Sequence, residues 1–151
     1  MSRGFQDHFS GHAAAYARAR PTYPAELFQW LASQSAGHAL AWDAGTGNGQ
    51  AAVALAAHYT HIHATDASAP QIAAARPHPT VHYAVEPAEH CSLPDASADL
   101  VLIAQALHWL DLAAFHTEVS RVLKADGVYA AVCYGLLHVS ADLDPLLHHF
   151  E

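Results

Sequence analysis

Basic residues are scarce in this chain. Lysine and arginine together number six, against fourteen aspartates and glutamates, for a formal net charge of −8 with histidine neutral. That balance argues against a nucleic-acid partner, whose phosphate backbone is bound by clustered Lys and Arg. Cysteine is nearly absent too. Cys91 and Cys133 make neither a disulfide framework nor a CxxC pair. Long apolar runs are missing: Ala51 to Ala57 falls far short of the ~20 residues that span a bilayer. The start, Met1 to Asp7, lacks the apolar core of a signal peptide. The expectation is a soluble, intracellular (cytoplasmic) chain without a membrane partner. Nor is there a Gly/Ser linker, charge block or repeat, so 151 residues read as one domain.

What is present is apolar. A hydrophobic fraction of 52% excludes a disordered chain. Fourteen histidines, more than twice the Lys and Arg together, are the compositional oddity. Near pH 6 their protonation would offset much of the −8 and favour self-association.

The pattern along the chain is a helix, then alternating strands and helices. Pro24 to Ser35 reads as a helix, with Leu27, Trp30 and Leu31 on one face and Gly37 as its cap. Leu40 to Asp43 is a short strand, Gln50 to His58 a helix, and Ile62 to Asp66 a second strand. Ser68 opens a helix that stops before Pro77. Val81 to Val85 alternates as a third strand, and Asp99 to Ala104 is a continuous apolar run, hence a fully buried fourth. Asp111 caps a helix carrying Leu112, Phe115, Val119, Val122 and Leu123 on one face, ended by Ala125-Asp126-Gly127. Val128 to Tyr134 is a fifth strand, and a last helix begins at Asp142. Such spacing predicts βαβ units and a doubly wound, Rossmann-like α/β domain with helices on both faces. Its ligand lies at the carboxyl ends of the strands.

The segment Asp43-Ala44-Gly45-Thr46-Gly47-Asn48-Gly49-Gln50 leaves the first strand and opens a helix. Three alternate glycines permit positive φ and close approach of a ligand to the backbone, and the helix start adds free N–H groups. About 20 residues on, at the end of the second strand, stands Asp66, where a carboxylate can accept from a ribose diol. Asp66 also fits an Asx-turn ahead of a helix. Gly47-x-Gly49-x-x-Ala52 fits the dinucleotide fingerprint in its G/A form. Asp43, two residues before the first glycine, separates the ligands: it would repel a pyrophosphate and favour a cationic group. S-adenosylmethionine, with its sulfonium and ammonium, is such a ligand.

Asp43-x-Gly45-x-Gly47-x-Gly49 resembles the first motif of class I S-adenosylmethionine-dependent methyltransferases. Asp66, Ala88-Glu89, Leu93-Pro94-Asp95-x-Ser97-x-Asp99, Gln105-Ala106-Leu107-His108-Trp109 and Glu118 to Gly127 follow in family order. Tyr16-x-x-x-Arg20-Pro21-x-Tyr23-Pro24 resembles the N-terminal lid of a subgroup similar to trans-aconitate-type methyltransferases. The resemblance runs from residue 5 to about 150. It implies a mostly parallel sheet of order 3-2-1-4-5, a lid over residues 1–37 and a core sheet over 38–135. On that resemblance, the family's usual strands 6 and 7 are expected to be lacking.

The resemblance also implies site roles. Tyr16 and Arg20 would grip the cofactor's carboxylate (Arg18 competes, and Tyr16 and Tyr23 fit equally as packing residues). Gly45, Gly47 and Gly49 would pass its amino-acid part, and Asp43 would face its ammonium. Asp66 and Ala67 would take the ribose; Ala88 and Glu89 the adenine; Gln105 completes the set. His108 would serve as base where the acceptor needs one, or else be a satisfied polar group beside Trp109. The implied reaction is in-line transfer of methyl from S-adenosylmethionine to a small-molecule acceptor, a carboxylate or another O or N nucleophile, leaving S-adenosylhomocysteine. The alternatives are an NAD(P)-dependent oxidoreductase and a non-catalytic cofactor-binding fragment. A homodimer through the uncovered edge of strand five is expected. His58-x-x-His61-x-His63 and His148-His149 are the dense histidine spots, but no zinc-type spacing completes them, so no metal is expected. Cys133, in an apolar strand, reads as buried, and Cys91, in a loop, as exposed.

Overall fold

The computed structural model describes residues 22–133. Tyr16, Arg18, Arg20, the proposed helix from Asp142 and His148-His149 lie outside them, as does the greater part of the 1–37 lid.

The chain enters helix α1 (Ala25–Gln34) with Pro24 at the N-cap, one position before the first turn, and Ser35 closes it. Gly37 therefore lies past the cap. Its role is contact: a Cβ there would stand 3.0 Å from the Asp99 carboxyl carbon. The buried face of α1 is Phe28, Leu31 and Ala32, the i, i+3, i+4 stripe. Leu27 is half-buried, and Trp30, 58% exposed, does not share that face.

Strand β1 (Leu40–Ala44) leads through the glycine loop to α2 (Gln50–Leu55). This helix is shorter than its apolar run, since Ala56 to His58 form a turn. Next come β2 (His61–Asp66), α3 (Ala69–Ala73), β3 (Val81–Val85) and β4 (Ala98–Ala104). A 3-10 turn, Leu107–Trp109, precedes α4 (Leu112–Val122). Both expected side-chain caps form. Ser68 Oγ accepts from Gln71 N, and Asp111 Oδ1 accepts from Ala113 N and Ala114 N.

The end of α4 departs from expectation. Helix gives way directly to β5 (Leu123–Val132), because Leu123 already pairs with Ala98. The ladder then slips, and Leu100 pairs with Val128. Ala125-Asp126-Gly127 is thus an irregularity inside the strand, a local excess of residues over the partner, rather than a helix terminator.

All four strand pairs are parallel, in the order β3-β2-β1-β4-β5. Every residue of β4 is buried, as a central strand covered on both faces requires. On one face Phe28 and Leu31 of α1 and Ala51, Ala52 and Leu55 of α2 pack against Ala41, Ile62, Leu100 and Leu102. On the other, Phe115, Val119 and Val122 of α4 pack against Trp42, Val101 and Ile103. Leu112, assigned to that face from its spacing, is 47% exposed. Among the described residues no helix is long and apolar enough to cross a membrane.

The cysteines are reversed. Cys91 is buried and Cys133, just past β5, is exposed. Cys91 is held in place because its N–H donates to Glu118 Oε1 and its carbonyl accepts from Arg121 Nη2.

Candidate ligand site at the carboxyl ends of the strands

β1 and β2 end side by side, with Ala44 in register with Thr65. The glycine loop turns back over that end, and Thr46 N donates to Thr65 O at 2.8 Å. Gly45, Gly47 and Gly49 all hold positive φ, at 68°, 58° and 82°. Two of these positions also leave no room for a side chain. A Cβ on Gly45 would meet the Ala106 Cβ at 2.8 Å, and a Cβ on Gly49 would run into the Tyr83 hydroxyl. Tyr83 OH in turn donates to Arg76 O at 2.6 Å, and Arg76 N donates to Asn48 O at 3.0 Å. β3 thus closes the loop from the side.

Asp66 is the junction. Its Oδ2 accepts from Gly47 N and its Oδ1 from Ser68 N, each at 2.9 Å. The second bond is the Asx-turn, and the first ties β2 to the loop. A carboxylate is also the group that accepts from a ribose diol. Ala67 follows it, half-buried. Asp43 is 1% exposed and accepts from Thr46 Oγ1 at 2.6 Å. It therefore lies beneath the loop, where its negative charge favours a cationic group above it over a pyrophosphate.

Ala88 is buried in the core under α4. Glu89 Oε1 accepts from Asp111 N at 3.0 Å, which links the segment after β3 to the segment after β4. That second segment carries Gln105, whose φ of 59° is left-handed, and the exposed pair His108 and Trp109 with ring centroids 4.7 Å apart.

Among the described residues, two buried polar atoms at this end of the sheet have no hydrogen-bond partner: Asn48 Oδ1 and Gln105 Nε2. An orphaned buried acceptor or donor costs about 1–3 kcal/mol. The set fits S-adenosylmethionine in kind: a negative floor, a ribose-type carboxylate and backbone without Cβ atoms. Asn48 and Tyr83 carry no role in the sequence reading. Asn48 stands between two glycines of the motif, which is a visible signal. The contact of Tyr83 with Gly49 is not visible in sequence.

The histidines do not converge. His61 is exposed, whereas His63 is buried, contacts Glu86 Oε2 at 3.1 Å and stacks on His82. Among the described residues no three His, Cys, Asp or Glu side chains are placed to hold a metal ion.

Residues 42–131 match the family described as Methyltransferase domain. A protein assigned as a methyltransferase in Dictyostelium discoideum is 35% identical over 146 residues, 96% of this chain and 56% of that protein. An uncharacterized methyltransferase of Mycobacterium tuberculosis is 36% identical over 120 residues, 79% of this chain and 49% of that protein. Among solved structures, one assigned as a type II methyltransferase from Anaeromyxobacter dehalogenans superposes with a TM-score of 0.78 at 44% identity. That match covers 87% of this chain and 56% of the other. The chain spans about half the length of the curated relatives it matches.

Proposed function

We infer that this chain, which belongs to the methyltransferase-domain family, binds S-adenosylmethionine and takes part in methyl transfer to a small-molecule acceptor. The observation that carries the reading is the Asp66–Gly47 bond, which joins a ribose-type carboxylate to a glycine loop lying over a buried Asp43.

In this reading Gly45 to Gly49 hold the amino-acid part of the cofactor against the backbone, with Asp43 favouring its ammonium. Asp66 and Ala67 take the ribose, Ala88 and Glu89 the adenine, and Gln105, just past β4, completes the set. Tyr16 and Arg20 grip the carboxylate. When bound, S-adenosylmethionine supplies a methyl group already activated by its sulfonium. The task left to the chain is alignment and exclusion of water. His108, exposed beside Trp109, accepts a proton where the acceptor must lose one. Asp43 weighs against a nicotinamide dinucleotide, whose pyrophosphate would lie over a buried negative charge.

Two finer readings accompany this one. The acidic balance and the low Lys and Arg content favour a cytoplasmic enzyme of small molecules over one acting on nucleic acid. In the described order β5 stands at an edge of the sheet, which supports pairing with a second copy; a strict monomer in analytical ultracentrifugation would remove that pairing.

A methyl-transfer assay that follows S-adenosylhomocysteine release against carboxylic acids, amines and phenols tests the activity. Release stimulated by one of these classes supports transfer. Tight cofactor binding with no release against any of them supports a cofactor-binding module instead.

A further inference from the structure

The turn that follows β3 is closed on a single oxygen. Glu86 Oε2 accepts from Ser92 N at 3.0 Å and meets His63 Nε2 at 3.1 Å. An ionised carboxylate only accepts, so His63 donates. Burial pushes the Glu86 carboxyl up, but the bonds from Ser92 and His63 outweigh it and hold the group below its ordinary value. His63 comes from the middle of β2, is 5% exposed and stacks on His82 with ring centroids 5.5 Å apart. The Glu86 N–H donates to the carbonyl of Asp66 at 3.1 Å, the residue whose carboxylate meets Gly47. Inside the turn, His90 N donates to Pro87 O at 3.2 Å. Ala88 and Cys91 bury one side of it in the core under α4. Beyond it, Leu93 and the sheet residues His61, His63 and His82 line an open cavity of about 360 Å³. On that side the tie is polar, through Glu86.

We propose that Glu86, braced by His63, is a positioning residue for adenine: it draws Ser92 back onto itself and so fixes Ala88 and Glu89 relative to Asp66. The proposal rests on the methyltransferase reading and deepens it, since it names what sets the adenine-reading turn in place. Glu86 touches neither the cofactor nor the acceptor. It acts through the turn that it closes. Without it the far end of the turn is still held, because Cys91 N donates to Glu118 Oε1 at 2.8 Å. Loss of the Glu86 carboxylate therefore shifts the turn rather than unfolding it. A site built to bond an N–H discriminates against an analogue that lacks it, and misplacing its groups erodes that discrimination. The ligand that uses the adenine amino group is the one that suffers.

The test is calorimetric titration with S-adenosylhomocysteine and with S-inosylhomocysteine, in which oxygen replaces the adenine amino group. The unaltered chain is expected to prefer the first by about tenfold or more. In Glu86→Ala that preference is expected to fall to about twofold, with the affinity for S-inosylhomocysteine nearly unchanged. Glu86→Gln keeps a carbonyl oxygen for Ser92 N and is expected to restore most of the preference. His63→Phe keeps a ring against His82 but removes the brace, and is expected to cost about threefold in preference; it carries the test if Glu86→Ala does not fold. Amide hydrogen exchange on the ligand-free chain gives a second readout. In Glu86→Ala the His90 and Ser92 amides are expected to exchange faster, with Leu102 of β4 unchanged. A preference kept in full in both Glu86→Ala and His63→Phe overturns the proposal. So does an equal loss for both ligands, or faster exchange throughout the chain, since either marks a merely structural role. An unaltered chain that binds both ligands equally overturns the adenine assignment and the proposal with it. Failure to bind either ligand overturns the methyltransferase reading itself, so the failures are distinct.

Discussion

The Asp66 carboxylate and the Gly47 N–H, 19 residues apart in sequence, meet at 2.9 Å and lock the end of β2 to the glycine loop. A ligand that displaced Asp66 from the loop would loosen the loop it sits on. One that bonded to Asp66 in place would find loop and carboxylate already in register. The cost of ordering this end of the site is met in folding, which is preorganisation in the ordinary sense.

Asp66→Ala removes the bonds to Gly47 and Ser68 together with the proposed ribose acceptor. Charge-assisted hydrogen bonds contribute roughly 1.5–3 kcal/mol. Binding of S-adenosylhomocysteine is expected to weaken by about 10- to 100-fold in calorimetry. Unchanged affinity would place the ribose elsewhere.

Gly49→Ala meets two obstacles, a left-handed φ of 82° and the Tyr83 ring. Strain of about 1–3 kcal/mol and overpacking of similar size predict a loss of about 2–4 kcal/mol in denaturant unfolding. Adding Tyr83→Ala is expected to return only the packing share, since the backbone conformation is unchanged. Full recovery in the double variant would show that φ costs nothing at this site.

Arg121 gathers Glu118, Asp95 and the carbonyls of Leu93 and Cys91. Its hydrogen bonds to the buried Glu118 hold that carboxyl down to about 2 from an ordinary 4.5. A carboxyl depressed on folding stabilises above its unfolded value and loses that contribution as pH falls. The window here is about pH 4.5 to 2, and the stake is about 3 kcal/mol. Arg121→Ala is expected to destabilise by about 2–4 kcal/mol at neutral pH, through an uncompensated buried charge. It should also flatten the acid limb of the stability curve. An unchanged acid limb in the variant would remove Arg121 as the cause.

The two thiols should differ in reactivity. Burial pushes Cys91 up to about 11, while Cys133 is exposed. A thiol reagent at pH 8 is expected to label Cys133 rapidly and Cys91 only on unfolding. Equal rates in the native protein would contradict the burial of Cys91.

Local features were legible in sequence; long-range ones were not. Val81–Val85 was readable from its alternation and β4 from its continuous apolar run. The caps Ser68 and Asp111 were readable because a cap satisfies neighbours two and three residues away. The junction of α4 and β5 was not, because pairing of Leu123 with Ala98 overrides the turn signal of Ala125-Asp126-Gly127. Cys91 sits in a loop yet is buried by partners 27 and 30 residues away. At the site, Asp43, the glycines and Asp66 were identifiable by type and spacing. The orphaned atoms of Asn48 and Gln105 depend on what the fold fails to place beside them.

Parallel calorimetric titrations with S-adenosylmethionine, S-adenosylhomocysteine and NAD test the central claim most directly. The account predicts binding of the first two and none of NAD, whose pyrophosphate would face Asp43. Tight binding of NAD with no response to S-adenosylhomocysteine would contradict it.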